Sequence, residues 1–192
     1  MRRAIVAMLC GPHDNTSRED GLSFRRIDKA INVAKQFQLP IIIAGDAFQG
    51  TDLRAFEDRA CNNGVGCFRV YDAHANTLAD VQGIIRFLRN DPEFQRGAYV
   101  HLVTDNWHMA RAASMLMMEA QKKLDLHIRC ENVFQDPLPP QEVLDGERQG
   151  LTDYLEGRYG QRALALSYGK PKPVIVVGCE GDTELVTDLS VV

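Results

Sequence analysis

Short apolar runs alternate along the chain with longer segments whose apolar positions recur every three or four residues. The first run, residues 4–9, is apolar throughout, which is typical of a strand buried on both faces of a parallel sheet. Residues 23–37 then carry apolar side chains at helical spacing, with Ser23 placed to cap the helix. The chain therefore begins with a strand followed by a helix.

The same criteria predict the remaining elements. Further strands are predicted at 39–44, 67–71, 98–103, 126–130 and 173–178, and further helices at 51–63, 76–88, 106–124 and within 142–167. Strands that alternate with helices predict βαβ units and an α/β fold. We expect a three-layer α/β/α, Rossmann-like domain spanning residues 1–192, with a mainly parallel sheet of about five to six strands.

Composition and charge narrow the class of protein. The net charge is −4 and the basic residues are scattered, so we expect no nucleic-acid partner. No apolar stretch reaches the roughly 18 residues of a membrane span, and no signal peptide is evident, so we expect a cytoplasmic protein without membrane association. The 5 cysteines lack any CxxC spacing, which favours reduced thiols and predicts no metal site built from them. The oligomeric state stays open.

The richest polar segment follows the predicted strand 98–103. Ligands of open parallel sheets bind beyond the carboxyl ends of the strands, which selects this loop. Thr104 and Asp105 would stand at a helix start, where exposed N–H groups favour an anion. His108 and Arg111 share a predicted helix face and would combine proton transfer with anion binding. Trp107 would offer a flat surface for a stacked ring.

Each of these residues also has a structural interpretation. Asp105 or Asn106 could simply cap the helix, Trp107 could belong to the core, and His108 could be a buried structural histidine. The first strand leads into Cys-Gly-Pro-His, so neither a Rossmann glycine fingerprint nor a Walker loop is present. The residues alone therefore locate a site without naming its reaction.

The order of motifs resembles a known bacterial family. The shared features are Arg26 and Ala30 in the first helix, the Ile-Ile-Ile-Ala-Gly-Asp end of the second strand, the Asn76-Thr77 pair, and Val-Thr-Asp-Asn-Trp-His-Met-Ala-Arg-Ala at 103–112. Together they are similar to the YdcF/SanA/ElyC-like domain of unknown function (DUF218). The resemblance covers about residues 4–120, and its most specific part is the Val-Thr-x-x-x-His-x-x-Arg-Ala element.

The resemblance implies a cleft at the strand ends and a set of site residues. The family's polar positions fall on Gly45, Asp46, Asp52, Asn76, Thr77, Thr104, His108 and Arg111. Gly11, in the loop after the first strand, joins them as a candidate ligand-binding residue. Two positions depart from the family pattern. The second strand ends in Ala-Gly-Asp where Ser-Gly-Gly is more usual, and Asp52 stands where glutamate is usual.

Two functions follow as expectations. The first is binding of, or action on, a phosphorylated or nucleotide-like small molecule, as a hydrolase or transferase would act. His108 would then be the general acid or base, and Asp46 or Asp52 would orient it or bind a divalent cation. The second is a module that binds S-adenosylmethionine or a nucleotide without catalysis, since the resemblance associates one family member with S-adenosylmethionine. A purely structural or partner-binding role is the least favoured alternative.

Overall fold

The computed structural model describes residues 2–10, 22–46, 53–72, 76–121, 123–159, 175–178 and 183–185. The strands are β1 (Arg3–Leu9), β2 (Ile41–Asp46), β3 (Cys67–Asp72), β4 (Ala98–Asp105), β5 (Leu126–Val133), β6 (Ile175–Gly178) and β7 (Thr183–Leu185). The helices are α1 (Leu22–Phe37), α2 (Leu53–Asn62), α3 (Thr77–Asn90), α4 (Met109–Ala120) and α5 (Gln141–Leu155), with a single 3-10 turn at Pro92–Phe94. Strand and helix alternate from β1 to α5, as the pattern of apolar positions predicted.

These strands form one sheet in the order β5-β4-β1-β2-β3-β6-β7. The first five are parallel to their neighbours, whereas β6 runs antiparallel to β3 and β7 antiparallel to β6. The predicted α/β, Rossmann-like class with a mainly parallel sheet is therefore confirmed. The sixth predicted strand lies at the β3 side of the sheet, and β7 follows it without having been predicted.

Helices cover both faces of the sheet. On one face, Phe24 and Ile27 of α1 and Phe56 of α2 pack over Val6 and Met8 of β1. On the other face, the alternate residues of the same strand pack against α3 and α4. Because β1 is buried on both sides, its sequence is apolar at nearly every position.

The chain changes direction across the sheet after β3. β1, β2 and β3 follow one another in space, and then the connection through α3 returns to place β4 on the other side of β1. The carboxyl ends of β1 and β4 are therefore neighbours whose loops lead to opposite faces. Open α/β sheets bind ligands in the crevice at such a reversal point.

Helix α4 begins later than the sequence pattern predicted. The prediction was a helix over 106–124, whereas β4 continues through Asp105 and a turn precedes Met109. His108 occupies the N-cap position and makes no side-chain capping hydrogen bond. The alternative in which Asp105 or Asn106 caps the helix is therefore wrong. Asp105 is the last residue of a buried strand and its carboxylate pairs with Arg26, and Oδ1 of Asn106 has no hydrogen-bond partner among the described residues.

Among the helices of the described ranges, none combines the length and the apolar composition that crossing a membrane requires.

Candidate functional site

His108 and Glu147 form the centre of the candidate site. Nδ1 of His108 lies 2.7 Å from Oε2 of Glu147, a residue of α5 that is 39 positions further along the chain. His108 is 7% exposed, and the side chain of Glu147 is 13% exposed. The pair is thus a histidine held by a carboxylate and largely shielded from water.

The contacts of His108 assign its tautomer. Nδ1 lies 2.7 Å from the carboxylate of Glu147 and 3.2 Å from Nη2 of Arg111, and one nitrogen cannot donate to the first and accept from the second. The shorter contact assigns the proton to Nδ1, which donates to Glu147. Nε2 then carries the lone pair, and the hydroxyl of Thr77, 3.4 Å away, donates to it.

The electrostatic surroundings keep this histidine neutral. Burial lowers the pKa of His108 below its ordinary 6.5, and the charge of Arg111 acts in the same direction. The hydrogen bond to Glu147 opposes this shift without cancelling it. Burial would raise the pKa of Glu147, but hydrogen bonds from His108 and Arg111 outweigh it and lower that pKa. The pair at neutral pH is therefore an imidazole beside a carboxylate.

Arg111 completes the cluster from the first turn of α4. Its Nε donates to Oε2 of Glu147 at 2.7 Å, its Nη2 donates to Oε1, and its Nη1 donates to the hydroxyl of Tyr159. Gly150 makes room for this side chain, since a Cβ there would lie 3.1 Å from Cδ of Arg111. The predicted proximity of His108 and Arg111 is confirmed, and both depend on a carboxylate that the sequence did not indicate.

Asn76 and Thr77 reach the site from the start of α3. Asn76 is the N-cap residue, and its Oδ1 accepts a hydrogen bond from the backbone N–H of Ala79 at 2.9 Å. This contact fixes where the helix begins, as expected for an asparagine in that position. Thr77, the next residue, is buried and contacts His108. Asn76 thus positions the helix end that brings Thr77 to the histidine.

A buried ion pair lies on the opposite face of the sheet at the same edge. Arg26 of α1 donates from Nη2 to Oδ2 of Asp105 and from Nη1 to the backbone carbonyl of Leu9, the latter at 3.0 Å. The side chains of Arg26 and Asp105 are 1% and 0% exposed. The guanidinium therefore ties the end of β1 to the end of β4. Asp105, a predicted ligand-binding residue, faces this arginine.

Cys10 and Gly45 lie side by side at the ends of β1 and β2. A Cβ at Gly45 would come 2.8 Å from Cβ of Cys10 and 3.2 Å from Leu53, so close packing explains this glycine. Burial raises the pKa of the Cys10 thiol and the charge of Asp80 adds to the effect, although Arg26 opposes it. The thiol, at the ends of β1 and β2, is therefore protonated at neutral pH.

Trp107 and Thr104 were two further predicted site residues. Trp107 is partly buried, and its Nε1 donates to Oε1 of Gln135 at 2.8 Å. Its ring centroid lies 5.8 Å from that of His108 at an interplanar angle of 57°. Thr104 is fully buried, and its hydroxyl has no hydrogen-bond partner among the residues that the structure describes. Trp107 therefore borders the site, whereas Thr104 lies beneath it.

Three predicted residues are described in part or not at all. Asp46 is the last residue of β2, where its backbone pairs in register with Asp72 of β3. Gly11 and Asp52 lie outside the described residues. No cluster of three or more histidine, cysteine, aspartate or glutamate side chains suited to a metal ion occurs within the described ranges.

Sequence reasoning did not find Glu147 and Tyr159. Glu147 is one of several acidic residues on α5, and no local pattern separates it from exposed neighbours such as Glu142. The available signal was a pair of glycines inside a helix, Gly146 and Gly150, because glycine there is costly unless close packing requires it. Gly150 packs in this way against Arg111.

An open groove lies at the opposite, amino-terminal edge of the sheet. Its lining residues are Arg2, Ala4, Phe37, Tyr99, His101 and Arg129. Both arginines are already ion-paired, Arg2 with Asp125 and Arg129 with Glu131. The charges of this groove are thus balanced locally. His101 also contacts a carboxylate here, with its Nδ1 3.0 Å from Oε1 of Glu131, so a second histidine–carboxylate pair lies at the amino-terminal edge.

The fold and this cluster together define a Rossmann-like α/β protein with a carboxylate-held histidine at the carboxyl edge of its sheet, next to the reversal of strand order between β1 and β4. No protein-family model matches the chain, and no curated protein is significantly similar to it in sequence.

Proposed function

We propose that the protein binds a phosphorylated or nucleotide-like small molecule at the carboxyl edge of its sheet and acts on it through His108. The observation that carries the proposal is the hydrogen-bonded set Thr77, His108, Glu147 and Arg111 beside the reversal point of the strand order. A histidine with one nitrogen fixed by a carboxylate and the other carrying a lone pair is suited to general base catalysis.

His108 would take a proton at Nε2. Glu147 holds Nδ1–H, so the ring presents Nε2 in a fixed orientation and an imidazolium formed there would be stabilised by the carboxylate. In the structure, the hydroxyl of Thr77 occupies Nε2 at 3.4 Å, a long contact that a water molecule or a ligand hydroxyl could replace. The proposed step is therefore activation of water or of a substrate hydroxyl, as in a hydrolase or transferase.

The start of α4 favours an anion. Its N-cap residue, His108, makes no side-chain capping hydrogen bond, so the first-turn N–H groups receive no cap from that side chain. Such groups and the helix dipole attract phosphate or carboxylate. Arg111 in the same turn carries a guanidinium, and a phosphate bound there would share it with Glu147. These features support a negatively charged ligand group next to His108.

A second candidate is a module that binds S-adenosylmethionine or a nucleotide without catalysis. The observation that favours it is the position of Asp46 at the end of β2, the strand beside β1. In dinucleotide-binding βαβ units, an acidic residue that follows the first helix hydrogen-bonds the ribose hydroxyls. A ribose would place the ligand across β1 and β2, and Trp107 would lie farther along the edge.

We also propose that the chain is a YdcF/SanA/ElyC-like (DUF218) protein, which would make it bacterial. The support is that the most specific residues of the resemblance lie together, with Thr104 under the site and His108 and Arg111 within it. In such a protein, Asp46 or Asp52 would hold a divalent cation.

Binding calorimetry and thermal shift with the full chain test these proposals. The probes are inorganic phosphate, adenosine mono-, di- and triphosphate, S-adenosylmethionine and a chromogenic phosphomonoester, each with and without Mg²⁺. We expect saturable binding of at least one phosphorylated probe, weakened by Arg111→Gln. The matched control is Arg148→Gln, which removes an exposed arginine of α5 and should bind as the wild type does.

Turnover separates the two candidates. His108→Asn keeps an N–H that can reach Glu147 but lacks the Nε2 lone pair, so it should bind the ligand and lose turnover. Binding of S-adenosylmethionine without any turnover would favour the second candidate. Absence of binding by every probe would overturn both, and turnover that survives His108→Asn would remove His108 from the chemistry.

A further inference from the structure

Strand β5 forms one edge of the sheet. It is eight residues long and pairs with β4 on one side. On its other side it has no strand partner among the residues that the structure describes. An edge of this length offers a row of backbone donors and acceptors to another chain.

The inner and outer residues of β5 follow from its contacts with neighbours. The carbonyls of Asp125 and Val133 accept hydrogen bonds from the backbone N–H groups of Ala98 and Asn106, each at 2.9 Å. In a strand, the backbone groups of successive residues point to opposite edges. The odd-numbered residues of β5 therefore bond to β4. The even-numbered residues, Cys130 at their centre, point their N–H and C=O groups outward.

The side chains of β5 are arranged so that the strand complements itself. Arg129 and Glu131 flank Cys130 and lie on the same face of the sheet, where Nε of Arg129 lies 3.0 Å from Oε1 of Glu131 of the same chain. If two copies pair antiparallel with Cys130 opposite Cys130, Arg129 of each copy stands opposite Glu131 of the other. Arg129 and the opposing Glu131 would form a non-hydrogen-bonded pair of the antiparallel ladder. In such a pair the side chains of the two strands approach most closely. The two pairs of a dimer would thus form one network of four charges.

Other registers lack this match. If the two-fold axis lay at residue 129, Arg129 of one copy would stand opposite Arg129 of the other. If it lay at residue 131, the two copies of Glu131 would stand opposite each other. A shift by a single residue would pair neither charge with its opposite and would reverse the faces. In the register centred on Cys130, the 76% exposed ring of Phe134 would also stand opposite Leu126 of the other copy.

We propose that a second copy of this chain pairs with β5 in antiparallel orientation, with the two-fold axis at Cys130. The outward N–H and C=O groups of Ile128, Cys130 and Asn132 form the new ladder. The two Arg129–Glu131 pairs set the register, and the two sheets become continuous through the dimer.

Backbone pairing is tested with proline. Cys130→Pro removes an outward N–H, a change that edge strands tolerate because that group bonds nothing within the same sheet. Cys130→Ser is the matched control that keeps the N–H. We expect wild type and Cys130→Ser to form dimers by analytical ultracentrifugation, and Cys130→Pro to be monomeric with an unchanged far-ultraviolet circular dichroism spectrum.

The register is tested with charge, independently of proline. Arg129→Glu places a carboxylate opposite Glu131 of the other copy and should raise the dimer dissociation constant by about tenfold or more. Arg148→Glu makes the same charge change on exposed α5 and should leave the constant unaltered. A short cysteine-directed cross-linker should join Cys130 to Cys130, as identified by peptide mass spectrometry, because Cys130 is exposed and carries a free thiol.

A wild-type protein that stays monomeric at high micromolar concentration overturns the proposal. A dimer that neither Cys130→Pro nor Arg129→Glu weakens also overturns it, since its contact would then lie elsewhere. A dimer that is weakened by Arg129→Glu and not by Arg148→Glu supports the proposal, even if the Cys130→Pro variant does not fold.

Discussion

Oε2 of Glu147 lies 2.7 Å from Nδ1 of His108, although 39 residues separate the two in the chain. The same oxygen accepts a hydrogen bond from Nε of Arg111, also at 2.7 Å. One carboxylate from α5 therefore sets both the tautomer of the histidine and the direction of the arginine.

Glu147→Gln should destabilise the fold by about 3 kcal/mol, because it leaves the largely buried guanidinium of Arg111 without its counter-charge. Urea denaturation, monitored by tryptophan fluorescence, measures the change in the free energy of unfolding. Glu142→Gln alters an exposed glutamate of the same helix and should cost less than about 1 kcal/mol. Equal losses in both variants would mean that the cluster does not stabilise the protein.

Arg26→Met should cost about 3–5 kcal/mol, since it leaves the carboxylate of Asp105 buried and unpaired. Adding Asp105→Leu should restore most of that stability, because replacing both charges with apolar side chains is often neutral. Arg25→Met, at the exposed neighbouring position, is the control. A double variant no more stable than Arg26→Met would indicate that the ion pair is itself required for the local fold.

Stability should fall as the pH drops through about 6.5. The folded-state pKa of His108 is lowered, so below its ordinary value the unfolded chain binds a proton that the folded chain does not. The stability that neutral His108 contributes is fully present above the pKa of the unfolded chain and is lost as the pH falls below it. His108→Asn should flatten the slope of unfolding free energy against pH between about 7 and 5. An unchanged slope would contradict the lowered pKa of His108. A ¹⁵N–¹H NMR titration of the His108 ring measures that pKa directly.

The two glycines of α5 should respond differently to alanine. At Gly146 an added Cβ meets no atom within 4 Å, so Gly146→Ala should stabilise the protein by about 0.8–1 kcal/mol through helix propensity. At Gly150 a Cβ would lie 3.1 Å from Arg111 and 3.4 Å from Tyr159. Gly150→Ala should therefore be less stable than Gly146→Ala in thermal unfolding, and the reverse order would contradict the packing of Arg111 on α5.

The centre of the parallel sheet could be predicted because β1, β2 and β4 are buried on both faces and are apolar along most of their length. The end of β4 could not be predicted in this way, because Thr104 and Asp105 are polar and yet fully buried. The burial of Asp105 depends on its ion pair with Arg26, which lies 79 positions away, and no local pattern carries that information. The late start of α4 is a consequence of this tertiary contact.

The candidate site was predictable to a similar extent. His108 and Arg111 were found because they are three residues apart and follow a strand. Glu147 depends on how α5 docks against α4, which helix periodicity does not specify. Asn76, predicted as a ligand-binding residue in a helix over 76–88, is the N-cap of that helix in the structure.

The tie from Arg26 to Leu9 and Asp105 also makes the two sides of the candidate site unlike each other. It joins the ends of two adjacent strands from beneath α1, so that side is fixed. The opposite side includes α5, in which Asp153 is the one buried residue among 141–155. A ligand that competes with Glu147 for Arg111 would thus act on the more exposed side of the site, where polar contacts from Glu147 and Tyr154 hold α5 to α4.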